Sequence, residues 1–360
     1  MRFSNFQKGI NLGGYLSQYD CIPEPPVTEQ EMERHFASFI TEEDIKRIAA
    51  LGFDHVRVPV SGYLLWDREA GEMREKPLFL LDRCISWCET YHLSVIVDLH
   101  DIWGNKYGAM DEPMPLLTDP ALQEIFLSFW RKLSEHFQGQ MEERMLFELL
   151  NEVSDAEGTL WNSLVGRALK EIRKIDKKRG ILVGSNNQNS VMYLGQLELL
   201  DDPYVVYNFH YYEPLVFTHQ KAHFSEELKE FNQTVAYPGD ISGFASYLEK
   251  NPKWKDKYAL TANETRNDHA LMEKLLQEAV DFAEKSDCQL YCGEFGVIDT
   301  APPEEAVKWL SDVIDFLDAH GIGHALWNYK SLDFGLVDVN GRTVSGVMLE
   351  FIKGKNKTGC

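Results

Sequence analysis

The chain has 360 residues, 44% of them hydrophobic and 12% aromatic, enough for a large core and unlike a disordered or fibrous composition. Its formal net charge of −21 argues against nucleic acid as a partner, because such binding rests on basic groups that neutralise phosphates. Runs such as Thr41-Glu42-Glu43-Asp44 read as solvated helix faces, and a neutral substrate suits that surface better than an anionic one.

No apolar run approaches the roughly 20 residues of a membrane-spanning helix, so no membrane partner is expected. The opening Met1-Arg2-Phe3-Ser4-Asn5-Phe6 lacks an apolar stretch followed by a small-residue cleavage site. As it stands the chain reads as cytoplasmic, or as secreted or cell-surface if a leader has been removed, and as a monomer. Six cysteines, Cys21, Cys84, Cys88, Cys288, Cys292 and Cys360, lack the CxxC spacing common in zinc sites, and free thiols are expected.

Strand and helix signals alternate along the whole length. The first strand candidate is Gly9–Gly14, followed by a helix pattern over Glu42–Leu51, with Gly52 placed as a helix-ending glycine. Then come strand His55–Val60, helix Leu78–Tyr91, strand Ser94–His100, helix Ala121–Phe137 and strand Met145–Glu152. The second half runs helix Leu160–Lys177, strand Ile181–Gly184, strand Val205–His210, helix His269–Lys285, strand Gln289–Glu294, helix Pro303–His320 and strand Gly323–Trp327. Most of the strands are short apolar runs without alternation, as expected when both faces are buried.

Eight strands in alternation with helices predict an α/β fold, a (β/α)8 TIM barrel, rather than a doubly wound sheet. Asn11-Leu12-Gly13-Gly14-Tyr15 after the first strand carries no dinucleotide fingerprint, and no cofactor is expected. A barrel needs about 250 residues, so something is added. The candidate is a subdomain-like insertion over 213–267, after strand 6, rich in aromatics and turn formers such as Tyr237-Pro238-Gly239-Asp240. With no linker or repeat, 1–360 reads as a single domain.

Two of these strand candidates end in a glutamate, Glu152 and Glu294. A carboxylate ending a dry strand is costly unless something uses it, and two of them at one end of a sheet are what glycosidic bond cleavage requires. The other polar strand ends are Arg57, His100-Asp101, Asn151, His210-Tyr211-Tyr212 and Trp327-Asn328-Tyr329. Each has a structural alternative. Arg57 would pair with a buried acid such as Glu148, the histidines would be hydrogen-bonded core residues, and Trp327 would be packing. Together they crowd the C-terminal strand ends, where barrels carry their active sites.

Arg57-Val58-Pro59, His100, Leu150-Asn151-Glu152, His210-x-Tyr212, Gly293-Glu294-Phe295-Gly296 and Trp327 resemble glycoside hydrolase family 5, the cellulase family of clan A, over nearly the whole chain. Gly9-Ile10-Asn11-Leu12-Gly13-Gly14 and Phe217-Thr218-His219-Gln220-Lys221-Ala222-His223 look like its endoglucanase C type, which likewise carries a subdomain after the sixth strand. Asp101 is a departure, since that type has a second histidine there.

The resemblance implies Glu152 as acid/base and Glu294 as nucleophile of a retaining endo-β-1,4-glucanase. Its substrate would be a β-glucan polysaccharide or cello-oligosaccharide, cleaved by double displacement. Arg57, His100, Asn151, His210, Tyr212 and Trp327 would bind or support, and Trp66, Trp103 and Tyr107 are possible cleft aromatics. Other readings remain open. Mannan, xyloglucan and xylan are alternative polymers. A metal-dependent hydrolase would use His100, Asp101, His210 and Glu294, but the histidines lack the close spacing of helical metal sites and no metal is expected. A purely carbohydrate-binding barrel has no reason to keep both carboxylates.

Overall fold

The computed structural model describes residues 3–106 and 114–357. Eight parallel strands close into a barrel: β1 (Lys8–Asn11), β2 (His55–Ser61), β3 (Ser94–Asp101), β4 (Met145–Glu148), β5 (Gly180–Gly184), β6 (Val205–Tyr211), β7 (Leu290–Phe295) and β8 (Gly323–Leu326). Neighbours in the barrel are neighbours in sequence, and β1 closes the ring by pairing with both β2 and β8. The predicted (β/α)8 architecture is the observed one.

The main helices are α1 (Glu29–Ser38), α2 (Glu42–Ala50), α3 (Glu75–Thr90), α4 (Pro120–His136), α5 (Thr159–Ile175), α6 (His269–Ser286), α7 (Pro303–Ala319) and α8 (Gly346–Lys357). Their beginnings follow from local chemistry. Thr28 with Glu31 and Thr41 with Asp44 form capping boxes, and Asp119 and Asp268 cap α4 and α6; each such cap is worth about 1 kcal/mol. α7 buries Ala306, Trp309, Leu310, Val313, Ile314 and Leu317, the three-and-four spacing of one apolar face turned to the barrel. Inside the ring, Phe3 and Phe6 pack with Ile96, Leu146, Leu182, Val206, Tyr291 and Ala325 to floor it.

Several boundaries differ from the sequence reading. The strand expected over Met145–Glu152 stops at Glu148, because Leu149–Glu152 leave the ladder and Glu152 has a left-handed backbone with φ 47°. The strand expected over Gly9–Gly14 stops at Asn11, and Gly14 turns with φ 83°. Helix α1 has no strand between it and α2, so strict alternation hides it, and α8 after β8 was not predicted from the sequence. Cys21, Cys84, Cys88, Cys288 and Cys292 are free thiols, and Cys360 lies outside the described residues. Among the described residues no helix is long and apolar enough to cross a membrane.

Between β6 and α6, the stretch 213–267 holds short helices at Leu215–Thr218, Glu226–Phe231 and Ser242–Lys250, and a two-stranded ribbon joining Gly239–Asp240 to Arg266–Asn267. Its aromatics pack on one another: the Phe244 ring meets Phe231 at 5.0 Å and Tyr258 at 4.8 Å, both edge-on.

Candidate active site

Alternation along a strand sends successive side chains to opposite faces. The inward rows rise from the apolar floor as Ile96, Asp98, His100 on β3, Leu146, Glu148 on β4 and Val206, Asn208, His210 on β6. On β7 the same rule puts Tyr291 and Gly293 inside and Glu294 outside, among the helices. The register corrects this: Cys292 pairs with Phe209 while Glu294 pairs with His210, so Gly293 is the extra residue of a bulge. Glu294 thereby turns inward. Glycine is needed there, since a Cβ would stand 2.7 Å from Asn208 Oδ1, which instead accepts the Gly293 N–H at 2.8 Å.

Arg57 is the hub of the site. It donates to both oxygens of Glu148 at 2.7 and 2.9 Å, to Glu294 Oε1 at 2.7 Å, to Asn151 Oδ1 at 2.9 Å and to Asn11 Oδ1 at 3.0 Å, and stands 3.0 Å from Asp98 Oδ2. Burial works against its charge, but Asp98, Glu148 and Glu294 outweigh that and hold the guanidinium well above its ordinary value. Three carboxylates around one cation are too many, and burial pushes Asp98 up to about 7. The expected pairing of Arg57 with Glu148 is observed, and its contact to Glu294 belongs to the same network.

Glu152 arrives from the loop after β4. Asn151 N–H donates to Leu99 O at 3.0 Å and Asn105 donates to Asn151 O at 3.1 Å, fixing the turn that presents it. Burial raises its pKa, against the pull of His100 and Arg57, although its side chain keeps 27% exposure, compared with 6% for Glu294. His210, pushed down to about 4 chiefly by burial, is neutral near pH 7. Asn189 Nδ2 donates to its Nε2 at 3.1 Å, which leaves Nδ1 to carry the proton and donate to Glu152 Oε1 at 3.0 Å. Tyr212 donates to Glu294 Oε2 at 3.0 Å, and burial first, then Glu294, holds its phenol well above the ordinary value. One ligand atom from each of Glu152, His210 and Glu294 lies within 4.8 Å of the others. A cation would fit that spacing, but Arg57 already supplies the positive charge beside Glu294.

The other predicted residues divide. Trp327 is 6% exposed, its ring parallel to His100 with centroids 5.9 Å apart. His100 in turn bonds Asp98 through Nδ1 at 2.7 Å. Trp66 is a correction. It is 2% exposed and packs on Phe129 of α4, because the hairpin of Trp66–Asp67 with Glu72–Met73 turns it into the core instead of the cleft. Trp103 stays partly exposed against the Tyr63 ring, 4.7 Å away. Tyr107 falls outside the described residues. Asn11, Asp98, Asn189 and Asn208 belong to the network and were not singled out from sequence. For Asp98 and Asn208 the signal was available: each sits two residues before His100 or His210, on the same inward row.

Beside Glu152 a cavity of about 340 Å³ opens between the loop after β5 and the 213–267 stretch, lined by Asn187, Gln188, Tyr193, Phe224, Lys257 and Tyr258 among others. Two carboxylates this close at the C-terminal rim of a parallel barrel form the arrangement of a retaining barrel glycosidase. Residues 22–333 match the family described as Cellulase (glycosyl hydrolase family 5). The chain is 40% identical over 349 residues to Endoglucanase C of Acetivibrio thermocellus, covering 97% of this chain and 98% of that protein. It is 33% identical to Cellodextrinase A of Ruminococcus flavefaciens, covering 88% and 83%. The chain belongs to glycosyl hydrolase family 5. Among solved structures, an endoglucanase shares the fold with a TM-score of 0.75 at 21% identity, covering 98% of both chains, as does endoglucanase Cel5A of Thermotoga maritima at 0.72 and 23%, with the same coverage.

Proposed function

We propose that this protein is a retaining endo-β-1,4-glucanase, acting on internal bonds of cellulose-type or mixed-linkage β-glucan with Glu294 as nucleophile and Glu152 as acid/base. The observation that carries it is the 4.8 Å limit between their oxygens, which suits the roughly 5–5.5 Å carboxyl separation of retaining sites and not the 6.5–9.5 Å of inverting ones. The roles follow from surroundings. Arg57 and Tyr212 donate to Glu294 and favour its anion. Burial of Glu152 favours the proton it must deliver.

In the first step Glu294 bonds to the anomeric carbon, the glycosidic bond breaks, and Glu152 gives its proton to the leaving oxygen. In the second, water gives a proton to Glu152 and its oxygen bonds to that carbon, releasing Glu294. Asn151 is placed to donate to the sugar 2-hydroxyl, a contact that strengthens in the transition state. The leaving part of the glucan lies where the proton donor faces, in the cavity beside Glu152, so the 213–267 stretch serves as one wall of the cleft.

Substitutions at the two carboxylates test this. Glu294→Ala should abolish turnover of every substrate, with azide restoring it and giving the inverted glycosyl azide. Glu152→Ala should keep the first step on aryl cellobiosides, whose leaving groups need little protonation. Equal loss on polymer and aryl glycoside in both variants would remove the role assignment.

A further inference from the structure

The chain leaves β5 through Asn187, Gln188 and Asn189, three successive residues with φ of 49°, 60° and 54°. A left-handed run of non-glycine residues is costly, because each Cβ crowds the carbonyl that follows it, and it persists only where the surroundings impose it. Here the surroundings are the loop that carries Glu152. Gln188 N–H donates to Val153 O at 3.1 Å, and Asn186 Oδ1 accepts the Asp155 N–H at 2.8 Å. The turn braces Glu152 through the residues directly after it.

Asn189 ends this turn fully buried against Gly184, where a Cβ would stand 2.4 Å from its Oδ1. Its Nδ2 donates to His210 Nε2 at 3.1 Å, while its Oδ1 has no hydrogen-bond partner among the described residues. A buried acceptor left empty costs stability, so fold stability alone does not account for this residue. The orientation of the amide follows from the other ring nitrogen. His210 Nδ1 lies 3.0 Å from Glu152 Oε1 and 3.7 Å from Glu294 Oε2, and facing two carboxyl oxygens it is the nitrogen that bears hydrogen. Nε2 of the neutral ring then holds a lone pair, which calls for a donor.

A donor at Nε2 does more than fix the tautomer. Protonating that nitrogen would set N–H against N–H, so the Asn189 amide stabilises the neutral imidazole and opposes the imidazolium. An imidazolium beside Glu152 would favour the glutamate anion and draw off the proton that Glu152 must deliver. The other charged or titratable groups around His210 are Arg57 from β2, Asp98 and His100 from β3, Glu148 from β4, Tyr212 after β6 and Glu294 from β7. On β3 Val60 pairs with Leu99 while Ser61 pairs with Asp101, so His100 is the extra residue of a second bulge. Glu294 and Glu148 pull His210 toward its charged form, and burial acts against them. The turn after β5 brings no charge of its own, only the amide. Resting on the glycosidase reading above, we propose that Asn189, held by the left-handed turn, is a positioning residue that keeps His210 neutral with its proton on Nδ1, so that Glu152 retains its own proton for the leaving oxygen.

Two measurements test this. Nitrogen NMR of the wild-type protein with isotope-labelled histidine, the His210 signals assigned by their loss in His210→Gln, should show a protonated Nδ1 and a bare Nε2 near pH 7. A proton on Nε2, or on both nitrogens, overturns the proposal. In Asn189→Asp, a change of nearly equal shape that tolerates the left-handed backbone, the carboxylate would accept from Nε2–H and charge the ring. The basic limb of kcat/KM on cellotetraose should then move down by on the order of one pH unit, a roughly tenfold loss along that limb. An aryl β-cellobioside with an activated leaving group, which needs little protonation, should lose far less. A basic limb that stays in place overturns the proposal, as does equal loss on both substrates, which would leave Asn189 a structural role only. If Asn189→Asp does not fold, the wild-type spectrum decides. Absence of wild-type cleavage of any β-glucan would strike the glycosidase reading instead, and the spectrum still decides the state of His210.

Discussion

Arg57 cannot be replaced by the loss of a single contact, because its guanidinium serves Glu148, Asp98, Glu294, Asn151 and Asn11 at once. Removing it strands Glu148 and Asp98, both fully buried, and breaking one side of a buried ion pair costs about 3–5 kcal/mol. Arg57→Met should therefore lower unfolding free energy in urea by about that much, as well as activity. A loss below about 1 kcal/mol would mean that the carboxylates take up protons and need no partner. At this scale the sequence was half legible. Arg57, Glu152 and Glu294 stood out as charges at strand ends. Asn11 and Asn189 did not, since a buried amide satisfied by a distant side chain leaves no local pattern, and Asn189 owes its position to three successive left-handed residues, Asn187–Asn189.

Elements place these residues through register. The strands were readable as apolar runs because both faces of a barrel strand are covered, yet the shifts at His100 and Gly293 are single-residue events without a compositional signature. Length of strand was overread at β4 for the same reason: Leu149 and Leu150 remain buried after the ladder has ended. The 213–267 stretch reaches the surroundings of Glu152 and Glu294 in two ways. Its first residues hold Tyr212, since Thr218 Oγ donates to Tyr212 O at 2.5 Å and His219 packs edge-on to that ring. Its distal part, with Phe224, Lys257 and Tyr258, borders the cavity beside Glu152. A deletion restricted to 226–262 should spare Tyr212 and largely keep activity on an aryl cellobioside. The kcat/KM on cellopentaose should fall on the order of tenfold, because binding remote from the bond speeds cleavage of longer chains. Proportional loss on both substrates in a folded variant would assign the stretch a structural role only.

For the whole molecule, burial sets the response to pH. It pushes His210 down to about 4 and His219 and His324 to about 3. The folded chain then binds fewer protons than the unfolded one below about pH 6.5, and the stability these groups provide is lost progressively as pH falls from there through 4 to 3. Asp98 and Glu213, raised to about 7 by burial, act oppositely, losing their contribution as pH rises from about 4 to 7. Asp101, raised to about 6 chiefly by burial, acts in the same sense, so three carboxyls offset the three histidines between about 4 and 6. Below about 4 the histidines still titrate between states, joined by carboxylates held low in the fold, such as Asp240 by Ser242 and Asp268 by Arg266. Tm should therefore be nearly flat across that window and drop steeply beneath it, and His324→Gln should make the acid limb shallower. An acid limb of unchanged slope in that variant would show that other groups govern it. The bulges also set where barrels of this family can be recombined. A chimera joined at or below Leu99 in β3 and Cys292 in β7 inherits each shifted strand end intact. A joint made above the shift, into a parent with unbroken alternation, would carry the glutamate codon across and still deliver its side chain to the helix layer.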